Sequence, residues 1–210
     1  MTVYPSPYPS ITVPEISLFS FLFPEHDDRH QDPAFIDPLS GISCTRAQAQ
    51  ARARMIAFGL RNGMERKGLM NVSRNRTILI FSPNCLLLPL TLLGAIAGGI
   101  KVSLASSNYT SGELAYQIKD SGPTHLLVHP SLLPIALAAL ETLKVHPEDV
   151  ARRILLLAST EEVTPEVRSK GFLCLDDIIW DKKQLWIEKF DGDQAHMTAV
   201  TFYSSGTTGA

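Results

Sequence analysis

The chain is poor in charge, with 19% Asp, Glu, Lys and Arg and a net charge of -2. No basic run is longer than Arg152-Arg153 or Lys182-Lys183. A phosphate-backbone footprint is therefore absent, which argues against a nucleic-acid partner. Cysteine is scarce too. Cys44, Cys85 and Cys174 are far apart and form no C-x-x-C. That spacing excludes a disulfide framework and a thiolate zinc site, and it fits reduced thiols in an intracellular protein. Ile16 to Phe23 is too short and too interrupted for a signal peptide. Thr77 to Ala105 carries one charge, Lys101, but Ser82-Pro83-Asn84 and Gly98-Gly99 break it. What remains uninterrupted falls short of a membrane span. No Walker loop and no G-x-G-x-x-G occurs.

What the chain does have is apolar content, 45% of 210 residues, enough for a sizeable core. Pro5, Pro7, Pro9 and Pro14 mark residues 1–14 as an extended, mobile arm. A helix is expected at Ile16–Phe23, stopped by Pro24. Ala34–Asp37 and Ile42–Cys44 flank Pro38-Leu-Ser-Gly41 and read as a hairpin. Thr45 with Gln48 three residues on is a capping box for a helix ending at Gly63 or Gly68. Its apolar stripe is read as Ala47, Ala51, Met55 and Phe58.

Thr77–Phe81 reads as a strand, followed by a helix from about Asn84 to Gly98 with Ser82 as cap and Pro83 in its first turn. Ile100–Leu104 is the next strand, which completes a βαβ unit. Thr110-Ser-Gly-Glu113 opens a helix to about Lys119, ended by Gly122-Pro123. His125–His129, Arg153–Leu157 and Gly171–Leu175 read as strands, Pro130–Leu143 as a helix and Thr160–Lys170 as polar loop. Asp176–Trp180 is a short helical turn, and Trp180–Gln194 a charged connector. Thr198–Tyr203 is a final strand. Alternation of this kind predicts the α/β class with a mostly parallel sheet flanked by helices.

The last strand runs straight into Ser204-Ser-Gly-Thr-Thr-Gly209. Four hydroxyls sit on a short arc, and two glycines let backbone N–H groups converge on a ligand. Convergent N–H groups make an anion-binding concavity. A polyphosphate is the natural occupant, whereas a Ser/Thr/Gly linker that binds nothing is the plain alternative.

Other candidates have simpler explanations. His26/His30 and His125/His129 are spaced i,i+4, but the first pair falls in a polar loop and the second on a strand, without a third ligand. His196 precedes the last strand, which could bring it near a nucleotide, but a solvated polar side chain is the simpler reading. Gly94-x-x-x-Gly98-Gly99 reads as close helix packing and a helix stop. Asp191-Gly-Asp193 reads as a turn, and Asp176-Asp177 as charge at a helix N-terminus.

Tyr203-Ser-Ser-Gly-Thr-Thr-Gly209 resembles the phosphate-loop signature of the adenylate-forming (AMP-binding) superfamily, and most of all its 4-coumarate–CoA ligase-like acyl-CoA synthetases. Ala34-Phe-Ile-Asp-Pro-Leu-Ser-Gly41 with Thr45, Phe81-Ser-Pro-Asn84, Gly94-Ala-Ile-Ala-Gly-Gly99, Asn108-Tyr-Thr-Ser-Gly-Glu-Leu114 and Lys119-Asp-Ser-Gly122 resemble further landmarks in the same order. The link Lys67–Arg76 departs from the family pattern. The resemblance implies that residues 15–210 form part of an adenylation domain. It also implies a two-step ligase, in which ATP activates a small carboxylic acid to acyl-AMP and a thiol, usually of coenzyme A, then takes the acyl group. Ser204, Ser205, Gly206, Thr207 and Thr208 would contact ATP, and Gly209 would shape the loop. Magnesium is implied as well. The family's phosphate-reaching Lys, acyl pocket and catalytic Lys correspond to positions past Ala210. The expectation is therefore that this 210-residue chain is inactive alone. The alternative is a non-catalytic binding or regulatory product. A cytoplasmic or peroxisomal location is expected.

Overall fold

The computed structural model describes residue 5 and residues 7–179, 183–186 and 189–203. After residues 7–14, which form neither helix nor strand, the chain makes α1 (Leu18–Leu22), β1 (Pro33–Ile36), β2 (Ser43–Thr45), α2 (Arg46–Phe58), β3 (Thr77–Phe81) and α3 (Leu87–Ala97). Then come β4 (Lys101–Ala105), α4 (Ser111–Ser121), β5 (His125–Val128), α5 (Leu133–Thr142), α6 (Pro147–Arg153) and β6 (Ile154–Leu156). The series closes with α7 (Pro165–Ser169), β7 (Leu173–Cys174), α8 (Leu175–Ile178) and β8 (Val200–Phe202).

Among the described residues, β1 and β2 form an antiparallel hairpin, and six strands form one parallel sheet ordered β7-β6-β5-β3-β4-β8. The parallel α/β architecture expected from the alternating pattern is what the chain adopts. Parallel strands need both faces covered, and two hydrophobic clusters do this. Ile78, Ile80, Val102 and Leu127 face α2 and α3. Leu79, Phe81, Leu126 and Val128 face α4 and α5. Residues of β3 alternate between the two clusters because successive side chains point to opposite faces.

Capping chemistry sets several helix starts. Thr45 accepts from Gln48 N while the Gln48 side chain accepts from Thr45 N. Thr110 and Glu113 make the same reciprocal pair, and Gly122 ends α4 in the left-handed region at φ 55°. Each satisfies backbone donors that a helix end leaves open.

Four expectations need correction. The buried face of α2 is Ala49, Ala53, Ile56 and Ala57, with Ala47, Ala51, Met55 and Phe58 only half-buried. An Ala- and Arg-rich helix has no strong apolar phase of its own, so packing against α3 selects it. A Cβ on Gly94 of α3 would lie 2.7 Å from Ile56 Cγ2, so the two helices meet where the side chains are smallest. Second, α3 begins at Leu87 and has no side-chain cap. Ser82 Oγ donates to the Pro83 carbonyl at 2.8 Å and lies in the turn before the helix.

Third, Thr160–Lys170 is not plain loop. A 3-10 turn covers Thr160–Glu162, with Ser159 and Glu162 as its capping box, and Thr164 caps α7, which has Pro165 in its first turn. Fourth, α6 was not foreseen, although Pro147, Glu148 and Asp149 at its start and Arg152 and Arg153 at its end suit a helix dipole.

The unusual link before β3 is also tied down. Leu69 and Val72 are buried, and Val72 N donates to Leu60 O at 2.8 Å. In the connector before β8, Arg54 and Leu185 exchange two hydrogen bonds of 3.0 Å. Residues 180–182 and 187–188 of that connector lie outside the described residues.

Candidate functional site at the carboxyl end of the sheet

The sheet has a switch point between its two central strands. β3 is followed by a crossover to β4 on one side, whereas β5 is followed by one to β6 on the other. Diverging crossovers open a crevice beyond the carboxyl ends of such strands, where open α/β sheets bind ligands. Four strand ends reach this rim: Phe81-Ser82, Ala105-Ser106, Val128-His129 and Phe202-Tyr203.

The rim is built from tight polar turns. After β3, Ser82 Oγ also lies 3.5 Å from Cys85 Sγ. After β4, Asn108 N donates to Ser106 Oγ at 3.3 Å and Tyr109 N to Ser106 O at 3.0 Å. After β5, His129 N donates to Phe81 O at 3.0 Å, which binds the two sides of the switch together. Ser131 Oγ lies 2.8 Å from His129 Nδ1. Burial lowers the basicity of His129, against an opposing pull from Glu162. The imidazole is thus biased towards its neutral form.

β8 completes the rim from the edge. It pairs in parallel with β4, Val102 opposite Val200 and Leu104 opposite Phe202. Tyr203 leaves β8 and donates its phenolic hydrogen to Asp120 Oδ2 on α4. Desolvation first, and then the bond to the Asp120 carboxylate, push the phenol up to about 12. Near this contact, buried Gln117 donates from Nε2 to Ser103 Oγ at 2.8 Å and Leu104 O at 3.1 Å. The Asp120–Tyr203 contact spans 83 residues. No local periodicity or motif signals it, and sequence reasoning did not single it out.

Ser204, Ser205, Gly206, Thr207 and Thr208 lie outside the described residues. What the structure gives is their point of departure. Tyr203 is delivered by a parallel strand to the carboxyl rim, which suits a strand that feeds a phosphate loop.

The other sequence candidates are placed elsewhere. His125 starts β5 and His129 follows its end, so the pair stands at opposite ends of one strand. His30 Nδ1 lies 3.0 Å from Asp27 O, and His196 Nε2 lies 3.7 Å from Glu15 at the amino end of β8. Among the described residues no three His, Cys, Asp or Glu side chains are grouped to hold a metal ion. Asp177 caps α8 through Cys174 N and pairs with Arg168. Burial raises its pKa, but the Arg168 and Cys174 hydrogen bonds outweigh this and leave it low. Gly192 has φ 60°, and Asp191 Oδ1 accepts from Ser17 N at 3.1 Å, so this acidic turn anchors the N-terminal segment. Cys44, Cys85 and Cys174 are free thiols. Among the described residues no helix is long and apolar enough to cross a membrane.

Comparison with known proteins agrees with this geometry. Residues 24–210 match the family model described as AMP-binding enzyme. The chain is 28% identical to 4-coumarate–CoA ligase-like 3 of Arabidopsis thaliana over 208 residues, 99% of this chain and 35% of that protein. It is 28% identical to the peroxisomal OPC-8:0-CoA ligase 1 of the same plant over 176 residues, 84% of this chain and 28% of the relative. ATP-bound MatB from Rhodopseudomonas palustris shares the fold with a TM-score of 0.60 at 22% identity, covering 92% of this chain and 33% of that one. The chain thus spans about a third of the length of the curated relatives it matches.

Proposed function

This chain belongs to the AMP-binding enzyme family, and on that footing we propose that it supplies the phosphate-binding part of an ATP-dependent acid–thiol ligase. The observation that carries the reading is the placement of β8. It is a parallel strand next to β4 that ends at the same carboxyl rim as the switch point, immediately before Ser204-Ser-Gly-Thr-Thr-Gly209. Residues 15–210 are read as the first part of the adenylation domain, preceded by an arm at 1–14.

In the first step a substrate carboxylate oxygen bonds to the α-phosphorus of ATP. The bond from that phosphorus to the bridging oxygen breaks, and pyrophosphate leaves. Ser204, Ser205, Gly206, Thr207 and Thr208 hold the β- and γ-phosphates as negative charge moves onto them, which is electrostatic stabilisation of the leaving group. In the second step a thiolate, that of coenzyme A, bonds to the acyl carbon and AMP departs. Magnesium would shield phosphate charge in such chemistry.

The relatives' names support a carboxylic acid as substrate and coenzyme A as acceptor. A cytoplasmic or peroxisomal site of action is part of the same proposal, the latter because one relative is named as peroxisomal.

A full-length form supplied with ATP, magnesium and a panel of aliphatic and aromatic acids is expected to release pyrophosphate only when an acid is present. Absence of acid-dependent release across the panel would sink the reading. The 210-residue chain assayed alone is expected to form no acyl-AMP.

A further inference from the structure

At the opposite, amino end of the sheet lies an open groove of about 660 Å³, between the starts of β5 and β6 and the ends of α5 and α6. The volume suits a small-molecule ligand. Its charge is lopsided. Lys144, Arg152 and Arg153 line it, with Asp149 as the acid among its lining residues. Asp149 is engaged by Arg152 at 3.9 Å.

Arg153 is half-buried, yet among the described residues it has no ion pair or hydrogen bond. A partly desolvated guanidinium without an acceptor is costly, and a bound anion would supply the acceptor. Beside it, His125 is only 2% exposed and lines the same groove. Its Nδ1 lies 3.2 Å from Thr124 Oγ1, and among the described residues its Nε2 has no partner. Lys144 stands on the left-handed backbone at φ 56°, where Gly is the usual residue after a helix. Leu69, Met70, Leu143 and Val145 add apolar surface to the lining, beside Thr124 and His146.

From this arrangement we infer that the groove is a second ligand site, one that takes a small phosphate monoester with an apolar body. Arg153 and Lys144 hold the phosphate oxygens, the body lies on Leu69 and Met70, and His125 stands close enough to report on binding. A dianion matches two uncommitted cations better than a single carboxylate does. The site is separate from the carboxyl rim and does not rest on the ligase reading.

Phenyl phosphate is the probe, followed by calorimetry and by the His125 imidazole resonance, with phenol and inorganic phosphate as controls for each half of the ligand. Saturable binding tighter than that of either control is expected, with a shift of the His125 signal. Arg153→Gln should weaken binding about tenfold or more, and Lys144→Gln about threefold. Lys144 is exposed, so its variant keeps the test valid if Arg153→Gln fails to fold. Thr207→Ala should leave this binding unchanged, which separates the groove from the terminal loop. No saturable binding, or binding indifferent to Lys144→Gln and Arg153→Gln, overturns the site. So does binding that Thr207→Ala abolishes.

Discussion

The central strand β3 and the edge strand β8 belong to one sheet and do opposite work. Ile78 to Phe81 are fully buried, with a partner strand on each side and helices on both faces. β8 has β4 on one side, and its Phe202 is 73% exposed. The buried strand supplies stability through apolar area and close packing. The exposed one contributes little area but carries the chain to the rim that the candidate chemistry needs. Fold and function therefore load different strands, and substitutions should separate them.

Phe81→Ala should have the largest effect. It removes a buried aromatic ring from β3 and should cost about 3–5 kcal/mol in denaturant unfolding. A loss below about 1 kcal/mol would mean that the centre is not packed as described.

A buried side chain at the amino end of β5 predicts an acid-sensitive limb. Burial first, and then the nearby Arg153 charge, lower His125 to about 4 from 6.5. The unfolded chain takes up a proton near 6.5 and the folded chain only near 4. Stability is therefore full above 6.5 and falls as pH drops towards 4, by about 3 kcal/mol in total. His125→Leu should flatten that part of the pH–stability curve, and an unchanged slope would remove His125 as its cause.

Gly94→Ala tests the helix contact behind the sheet. The new Cβ would meet Ile56 at 2.7 Å and the Ala53 carbonyl oxygen at 2.9 Å. Backbone cannot yield as a side-chain tip can, so overpacking should cost about 1–3 kcal/mol despite the better helix propensity of Ala. A thermal melt showing stabilisation would contradict the close approach.

At the edge the expected effect is smallest. Tyr203→Phe removes the bond to Asp120 and should lower stability by no more than about 1 kcal/mol. A loss as large as that of Phe81→Ala would erase the contrast between the two strands.

Much of this division was legible beforehand. β3 was placed at Thr77–Phe81 because a compact β-branched and apolar run between turn residues reads as a buried strand. Thr45/Gln48 and Thr110/Glu113 announced two helix starts because capping is local chemistry. The face of α2 was not legible, since its phase depends on a glycine in α3 about 40 residues away. The start of α3 was misplaced because Ser82 bonds within its own turn. At the site, the loop residues were visible as a motif, whereas the tether from Tyr203 to Asp120 and the meeting of Leu69 and His125 with Lys144 and Arg153 arise only when distant segments come together.

On the proposed function, β8 delivers a loop that holds ATP phosphates. Acid-dependent ATP–pyrophosphate exchange by a full-length form tests it most directly, comparing the parent with a Thr207→Ala/Thr208→Ala double variant. A loss of about a hundredfold in exchange rate is expected, with an unchanged melting temperature. Exchange that survives the double substitution intact, or that falls only in step with unfolding, would contradict it.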